Sequence, residues 1–167
     1  MSFYKAIAIM IGRGAMRTVM AMLTGGALPL VATFVYAAGA DDILGVWNNE
    51  EKDAKIEIFK CGEKYCGKIV WLKEPNYLEG SNEGPPGAPR LDRNNPDPTQ
   101  RARPVMGLRI MHDFAYTGDR LWKGGKVYDP KNGKTYSGKM TLVSPGQLNL
   151  RGFIGISIIG RTAVWTR

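Results

Sequence analysis

Residues 134–147 read KTYSGKMTLVSPGQ, and this stretch decides the fold. Every second residue from Tyr136 to Leu142 falls on one face, while polar residues fall on the other. Such alternation predicts a half-buried β-strand. The Ser-Pro-Gly-Gln ending suits a type II turn, since proline takes the first central position and glycine the second. Residues 147–153 predict a second strand that pairs back on the first, so we expect an antiparallel hairpin.

Strand-like segments continue outward from this hairpin in both directions, with turn residues between neighbours. About eight or nine short strands in meander order favour an all-β fold, a small up-and-down antiparallel β-barrel, because closure removes exposed strand edges. A two-sheet sandwich is the alternative. The other predicted strands cover 44–48, 55–60, 68–73, 104–111, 120–128 and a closing segment over 156–167.

Cys61 and Cys66 enclose a four-residue turn between two predicted strands. The spacing is too wide for a redox pair, and no second pair completes a zinc site. Cysteines facing each other across a hairpin lie at bridgeable distance. The sequence therefore predicts a disulfide.

Residues 1–40 contain no Asp or Glu, carry three basic residues (Lys5, Arg13 and Arg17) before a mostly apolar stretch, and end in small residues. This pattern is typical of a signal peptide, with cleavage after Ala37 or Ala40. Met16 is an alternative start, and a retained membrane anchor is the alternative reading of the segment. The expected mature chain, 41–167, is one domain in an oxidising compartment outside the cytoplasm, with no transmembrane anchor after cleavage.

Without that segment the chain has 20 Lys and Arg against 15 Asp and Glu, a net charge of +5. A mildly basic exterior suits an anionic surface or partner, although scattered charge is also an ordinary solvated exterior. No basic run interleaves with aromatic residues, so nucleic acid is not an expected partner.

Residues 74–103 form a long irregular loop that is rich in proline, glycine and asparagine. Loops of this length in a compact domain are usually functional lids or disordered segments. Four arginines accompany two aspartates in the loop, and two interpretations stay open: an anion-binding rim at a barrel mouth, or a loop held by its own ion pairs. The residues are Arg90, Asp92, Arg93, Asp97, Arg101 and Arg103.

Several ordered strings resemble a family of small exported bacterial proteins, the domain of unknown function 2147. They are Gly45-Val46-Trp47, the cysteine turn with residues 67–71, residues 122–136, and residues 160–167. The resemblance implies a lipocalin-like barrel of the calycin group and a periplasmic or secreted setting. It also implies that Gly45 and Trp47 pack under an arginine of the last strand, either Arg161 or Arg167.

The functional hypothesis is a barrel that binds a small apolar or amphipathic ligand without catalysis, cofactor or metal. One alternative is an interaction module that docks its basic loop, through Arg101 and Arg103, on a cell-envelope component. A second alternative is an envelope lipid or glycan hydrolase that uses Asp92, Asp97 or Asp113; His112, the only histidine, is expected to be structural. The predicted ligand-binding residues are Trp71, Met106, Leu108, Trp122, Arg101 and Arg103.

Overall fold

The structure is a computed structural model, and it describes residues 39–167. Apart from Gly39 and Ala40, the predicted signal peptide and the alternative start at Met16 lie outside the described residues. Within residues 39–167, no helix is long and apolar enough to cross a membrane.

The described chain forms a closed antiparallel barrel in which each strand pairs with the next and β8 returns to β1. The predicted up-and-down barrel is confirmed, with eight strands. They are β1 (Gly45–Asn48), β2 (Ala54–Cys61), β3 (Lys64–Leu72), β4 (Arg109–Tyr116), β5 (Leu121–Asp129), β6 (Lys134–Ser144), β7 (Gln147–Phe153) and β8 (Gly160–Thr166).

Two predicted strands begin later than expected, and one predicted turn has a different geometry. β4 starts at Arg109 because Gly107 takes a φ of 82° and the chain turns there. β8 starts at Gly160 because Gly155, with a φ of 73°, opens a loop over residues 154–159. Residues 144–147 do connect β6 to β7, but Gly146 lacks the positive φ that a type II turn requires.

The two ends of the barrel differ. Residues 39–44 and the short turns after β2, β4 and β6 lie at one end, which we call the closed end. The connections after β1, β3, β5 and β7 lie at the other, which we call the open end. They comprise residues 49–53, a long loop over 73–108, residues 130–133 and residues 154–159.

Large aromatic side chains fill the closed end. Trp47, Phe114 and Trp122 have no solvent exposure. Gly125 and Gly138 are register partners on β5 and β6, and a Cβ atom on either would come within 2.6 Å of the Phe114 ring. The two glycines thus leave the space that this ring occupies, and the closed end becomes a packed core.

The predicted arginine cover over Trp47 is supplied by Arg167. Its guanidinium carbon lies 4.3 Å from the indole centroid, and its Nη1 and Nη2 donate 3.0 Å hydrogen bonds to the carbonyls of Leu44 and Asp42. Arg161 instead pairs with Glu50 at the open end. The stack closes the base of the barrel by a cation–π contact and fixes the chain before β1.

The Cys61–Cys66 disulfide is confirmed, and it joins the end of β2 to β3 at the closed end. The turn between these strands has two residues and not the predicted four, because Cys61 pairs in register with Lys64, so the bridge runs diagonally across the hairpin. The two Cα atoms are 5.9 Å apart, within the usual range for a bridge. The bridge therefore fixes the register of this hairpin on the side of the molecule that is already packed.

Candidate functional site

The open half of the barrel contains a cavity of about 1250 Å³ that opens to solvent. Inward-facing side chains of β2, β3, β5, β7 and β8 line its wall, because alternate residues of each strand point into the barrel. The wall is mostly apolar: it includes Ile56, Ile69, Val127, Leu150, Ala163 and Trp165.

Charged residues of both signs surround the mouth of the cavity, and several of them form ion pairs with one another. Lys131 Nζ lies 2.9 Å from Asp53, Arg90 lies 3.5 Å from Glu74, and Arg161 contacts Glu50. The Lys131–Asp53 and Arg161–Glu50 pairs join segments that are distant in sequence, so they help to hold the rim of the barrel in shape.

The Asp53–Lys131 pair changes the acidity of both groups. Burial alone would raise the pKa of Asp53, but hydrogen bonds from Asn49 and Lys131 outweigh it, so that pKa lies below its usual 3.8. The hydrogen bond to Asp53 in turn raises the pKa of Lys131 above 10.5. Both groups therefore keep their charges across the neutral range.

A buried carboxylate ties the long loop to the barrel. Asp92 has no solvent exposure, and its oxygens accept hydrogen bonds from Asn95 Nδ2 at 2.7 Å, Arg103 Nε at 3.0 Å and the Tyr128 hydroxyl at 2.5 Å. Burial, together with the hydrogen bond to Asp92, raises the pKa of Tyr128 to about 12. Because Tyr128 belongs to β5 and lines the cavity, this contact ties the loop to the barrel wall beside the cavity.

Tyr77 organises the other part of the loop. Its ring is 3% exposed and lies within 6.0 Å of the guanidinium carbons of both Arg90 and Arg93. Its hydroxyl accepts hydrogen bonds from the Leu91 amide at 3.0 Å and from Arg93 Nε at 3.1 Å. Gly84 packs on the ring so closely that a Cβ would overlap it. Tyr77 also lines the mouth of the cavity, so this part of the mouth is formed by an ordered segment of the long loop.

None of the four apolar residues predicted to bind ligand lines this cavity. Trp71 is 40% exposed, with the Lys55 amine 5.4 Å from its ring, and Met106 lies in the long loop, 39% exposed. Leu108 is buried in the core, and Trp122 belongs to the packed closed end, where its Nε1 donates to the Ala40 carbonyl.

The two predicted arginines also lie away from the cavity wall. Arg103 forms an ion pair with Asp92 through its Nη2 and Nε atoms, and Arg101 Nε donates a 2.8 Å hydrogen bond to the Asn95 carbonyl. Both contacts are internal to the long loop. Of the two interpretations of its arginines, the loop held by its own ion pairs describes Arg103 and Asp92.

The other acid–base candidates are dispersed. Asp97 accepts from the Thr99 amide and hydroxyl, and Asp113 lies exposed on β4 with a φ of 62°. His112 lines a second hollow of about 420 Å³ together with Arg103 and Arg109. Among residues 39–167, no group of three or more His, Cys, Asp or Glu side chains is arranged to hold a metal ion.

The sequence reading missed the residues that form the mouth, above all Tyr77 and Lys131. A partial signal was present: Tyr77 is an isolated aromatic residue inside a loop of proline, glycine and polar residues, where a large ring needs a specific partner. Lys131 gives no such signal, because a lysine in a hairpin turn is ordinary.

Comparison with known proteins agrees with this architecture. A family model described as "Uncharacterized protein conserved in bacteria (DUF2147)" matches residues 45–167. The chain belongs to this family. The match begins at the first strand and reaches the last residue, so it covers the whole barrel of this DUF2147 protein.

Among solved structures, the DUF2147 barrel is similar to HP1028 from the human pathogen Helicobacter pylori, which is described as belonging to the lipocalin family. The two chains are 26% identical, with a TM-score of 0.61 over 74% of this chain and 81% of that one. No curated protein sequence matches the chain. The lipocalin-like assignment therefore stands on the family match, the structural neighbour and the closed barrel together.

Proposed function

We propose that this DUF2147 protein is a non-catalytic carrier or sensor that binds a small amphipathic ligand in its barrel. The observation that carries the proposal is the cavity of about 1250 Å³, closed below by packed aromatic residues and open above. Concave, mostly apolar cavities of several hundred Å³ are the usual form of small-molecule sites. The lipocalin-like fold supports the same reading, although function is decided by the site.

The lining of the cavity indicates the chemistry of the ligand. Its wall of aliphatic and indole side chains suits a hydrocarbon body, because burying apolar surface contributes about 25 cal/mol per Å². Its mouth offers polar partners, including Arg90, Arg93, Lys131 and the Tyr136 side chain. A fatty acid or another single-chain lipid places its tail and its head group in these two environments.

The absence of catalysis is part of the proposal, and the positions of the three carboxylates that the sequence singled out support it. Asp92 is fully engaged within the long loop, and neither Asp97 nor Asp113 lines the cavity. Of the carboxylates at the mouth, Asp53 and Glu74 form ion pairs with Lys131 and Arg90. The interaction-module alternative is not favoured either, because Arg101 and Arg103 make contacts inside their own loop.

We further propose a bacterial periplasmic or secreted location. The signal-peptide pattern of residues 1–40 and the Cys61–Cys66 bridge support it, since structural disulfides persist in oxidising compartments. Fractionation of cells that express the full chain, with N-terminal sequencing, should find the protein outside the cytoplasm and beginning at Ala38 or Asp41. An uncleaved chain in the cytoplasm would contradict this proposal.

The ligand proposal is tested by filling the cavity from one strand while leaving its outer face as a control. Ala163 on β8 lines the cavity, whereas its neighbour Val164 faces outward and is 37% exposed. We expect Ala163→Phe to weaken binding of a fluorescent fatty acid at least tenfold, because the ring occupies space that the acyl chain needs. Val164→Phe should change the affinity less than twofold.

Titration with the fluorescent fatty acid measures the affinity of each variant. Native mass spectrometry of gently purified protein shows whether a ligand is already bound. A wild-type protein that binds neither fatty acids nor single-chain lipids would contradict the proposed function. Equal binding by both phenylalanine variants would show that the ligand lies outside the barrel.

A further inference from the structure

The connection between β7 and β8 exposes an unusual amount of apolar surface. Residues 154–159 read IGISII, and we call this segment the isoleucine loop. Ile154, Ile156, Ile158 and Ile159 are 66%, 61%, 85% and 70% exposed. Single exposed apolar residues are normal on a protein surface. Four within one six-residue loop form an apolar patch, and such patches are typical of interaction sites.

The isoleucine loop is a built structure. The Arg151 guanidinium donates three hydrogen bonds, to the carbonyls of Ser157 and Ile158 at 2.7 and 2.9 Å and to the Thr162 hydroxyl at 3.1 Å. Gly160 allows β8 to approach β7, because a Cβ there would lie 2.4 Å from the Gly152 carbonyl oxygen. One side chain therefore satisfies the loop backbone while the isoleucine side chains project into solvent.

The patch is continuous with the cavity. Ile154 and Ile159 line the mouth, and Ile156 and Ile158 do not. The loop thus has two inner isoleucines at the entrance and two outer ones beyond it. At the closed end, the exposed apolar residues Val46 and Val143 sit on separate strands, 44% and 45% exposed.

We propose that the isoleucine loop docks the open end of the barrel on a lipid bilayer, with Ile156 and Ile158 inserted among the acyl chains. A short loop whose exposed side chains are isoleucines fits the apolar interior of a bilayer. A second copy of the chain is a poorer occupant, because a standard interface buries about 800 Å² per partner, more than the four isoleucine side chains of one loop present.

The charges around the mouth decide which bilayer this surface fits. Five basic residues line the cavity and its mouth, and five acidic residues offset them: Lys73, Arg90, Arg93, Lys131 and Arg161 against Glu51, Asp53, Glu74, Glu83 and Asp129. Three of the basic residues, Lys131, Arg90 and Arg161, form ion pairs with carboxylates. A balanced rim gives little attraction to anionic head groups, so apolar insertion supplies the binding. We therefore expect docking on zwitterionic phosphatidylcholine, with little dependence on salt.

Docking does not depend on the proposed ligand function, since Ile156 and Ile158 lie outside the cavity lining. If both are correct, the apolar entrance at Ile154 and Ile159 lies against the lipid, and an amphipathic ligand enters without crossing water. Failure of vesicle binding would leave the fatty-acid titration of the previous section unaffected, so the two proposals fail separately.

A dye placed on the loop tests insertion directly. Ile158→Cys, labelled with an environment-sensitive fluorophore, should show a blue-shifted and brighter emission when phosphatidylcholine vesicles are added. Lys123→Cys, on the exposed face of β5, carries the same dye as a control and should not respond. A silent dye at residue 158, or an equal response at residue 123, would overturn the proposal.

A pair of matched double variants measures the contribution of the loop to affinity. We expect I156S/I158S to reduce the partition coefficient on phosphatidylcholine vesicles at least tenfold, while V46S/V143S changes it less than twofold. All variants carry the same residues 1–40, so differences between them report the loop alone. Fatty-acid affinity should be retained in I156S/I158S.

The remaining outcomes are equally decisive. Partition that changes less than twofold between 0.05 and 0.5 M salt would support apolar insertion, because charge-driven binding is screened. Binding only to vesicles that contain phosphatidylglycerol, and its loss in salt, would overturn the proposal in favour of charge. A dimer by sedimentation velocity that I156S/I158S abolishes would assign the loop to a second copy instead.

Discussion

The closed and open ends of this barrel are made from the same strands but are stabilised in different ways. At the closed end, Trp47, Phe114 and Trp122 fill the interior, and a disulfide fixes the adjoining hairpin. At the open end, a cavity replaces the core, and the loops are held by polar contacts such as those of Asp92. The difference indicates a division of labour: packing at one end provides the stability that allows an unfilled, solvated site at the other.

The largest test of this comparison is the removal of one large side chain from each end. Trp47→Ala should lower the free energy of unfolding by about 3–5 kcal/mol, the usual cost of emptying a buried aromatic site. Ile159→Ala, at the 70% exposed rim, should change it by less than about 0.5 kcal/mol. Urea unfolding followed by circular dichroism measures both, independently of the lost indole.

A loss below about 1 kcal/mol in Trp47→Ala would show that the closed end is not the main source of stability. Fatty-acid binding by the folded fraction of this variant should be retained, because Trp47 does not line the cavity. That second measurement separates damage to the fold from damage to the site.

The pH dependence of stability above pH 10 allows one tyrosine–aspartate pair from each end of the barrel to be compared. Burial, followed by the hydrogen bond to Asp41, raises the pKa of Tyr65 to about 12, and Tyr128 is raised to about 12 by burial and by Asp92. Unfolded tyrosines ionise near pH 10. The raised values stabilise the folded chain below pH 10, and this contribution is lost as the pH rises from 10 to 12.

Absorbance at 295 nm should therefore show two phenols that ionise about two pH units late, and stability should fall over the same interval. Tyr65→Phe and Tyr128→Phe should each remove one late phenol. We expect Tyr128→Phe to destabilise more at pH 7, because its partner Asp92 is buried whereas Asp41 is exposed. Normal titration of all the tyrosines would contradict the geometry of both pairs.

The strands and their order could be predicted from the sequence because side-chain alternation reports the inward face directly. It places Trp122 and Trp165 alike as inward aromatic residues on barrel strands. Alternation does not report height along the barrel axis, so it could not assign Trp122 to the packed end and Trp165 to the cavity. For this reason Trp122, one of the predicted ligand-binding residues, lies in the packed end and does not line the cavity.

The open end was harder to predict because loops from distant parts of the sequence build it. The sequence predicts a strand that begins at residue 156, within the isoleucine loop, since β-branched residues favour strands. Gly155 and the contacts of Arg151 override that preference. The sequence leaves two interpretations of the loop arginines open. In the structure Arg103 pairs with the buried Asp92 inside the loop, whereas Arg90 and Arg93 line the mouth.

The smallest expected effect on the free energy of unfolding concerns Arg161 in β8 and Arg167, which follows that strand. Arg167→Lys at the closed end keeps the charge but loses the planar stack on Trp47 and the fork that bridges two carbonyls. We expect a loss of about 1 kcal/mol, from the cation–π contact and the arginine geometry. Arg161→Lys, whose surface pair with Glu50 tolerates an amine, should cost about 0–0.5 kcal/mol.

Ligand and vesicle measurements on the same two variants sharpen the contrast between the ends. Arg167→Lys should leave fatty-acid affinity unchanged, because its contacts lie at the base of the barrel. Arg161 lines the mouth, so we expect Arg161→Lys to change fatty-acid affinity more than it changes the free energy of unfolding. The opposite order, with Arg161→Lys the more destabilising variant, would mean that the rim contributes more to the fold than the packed base does.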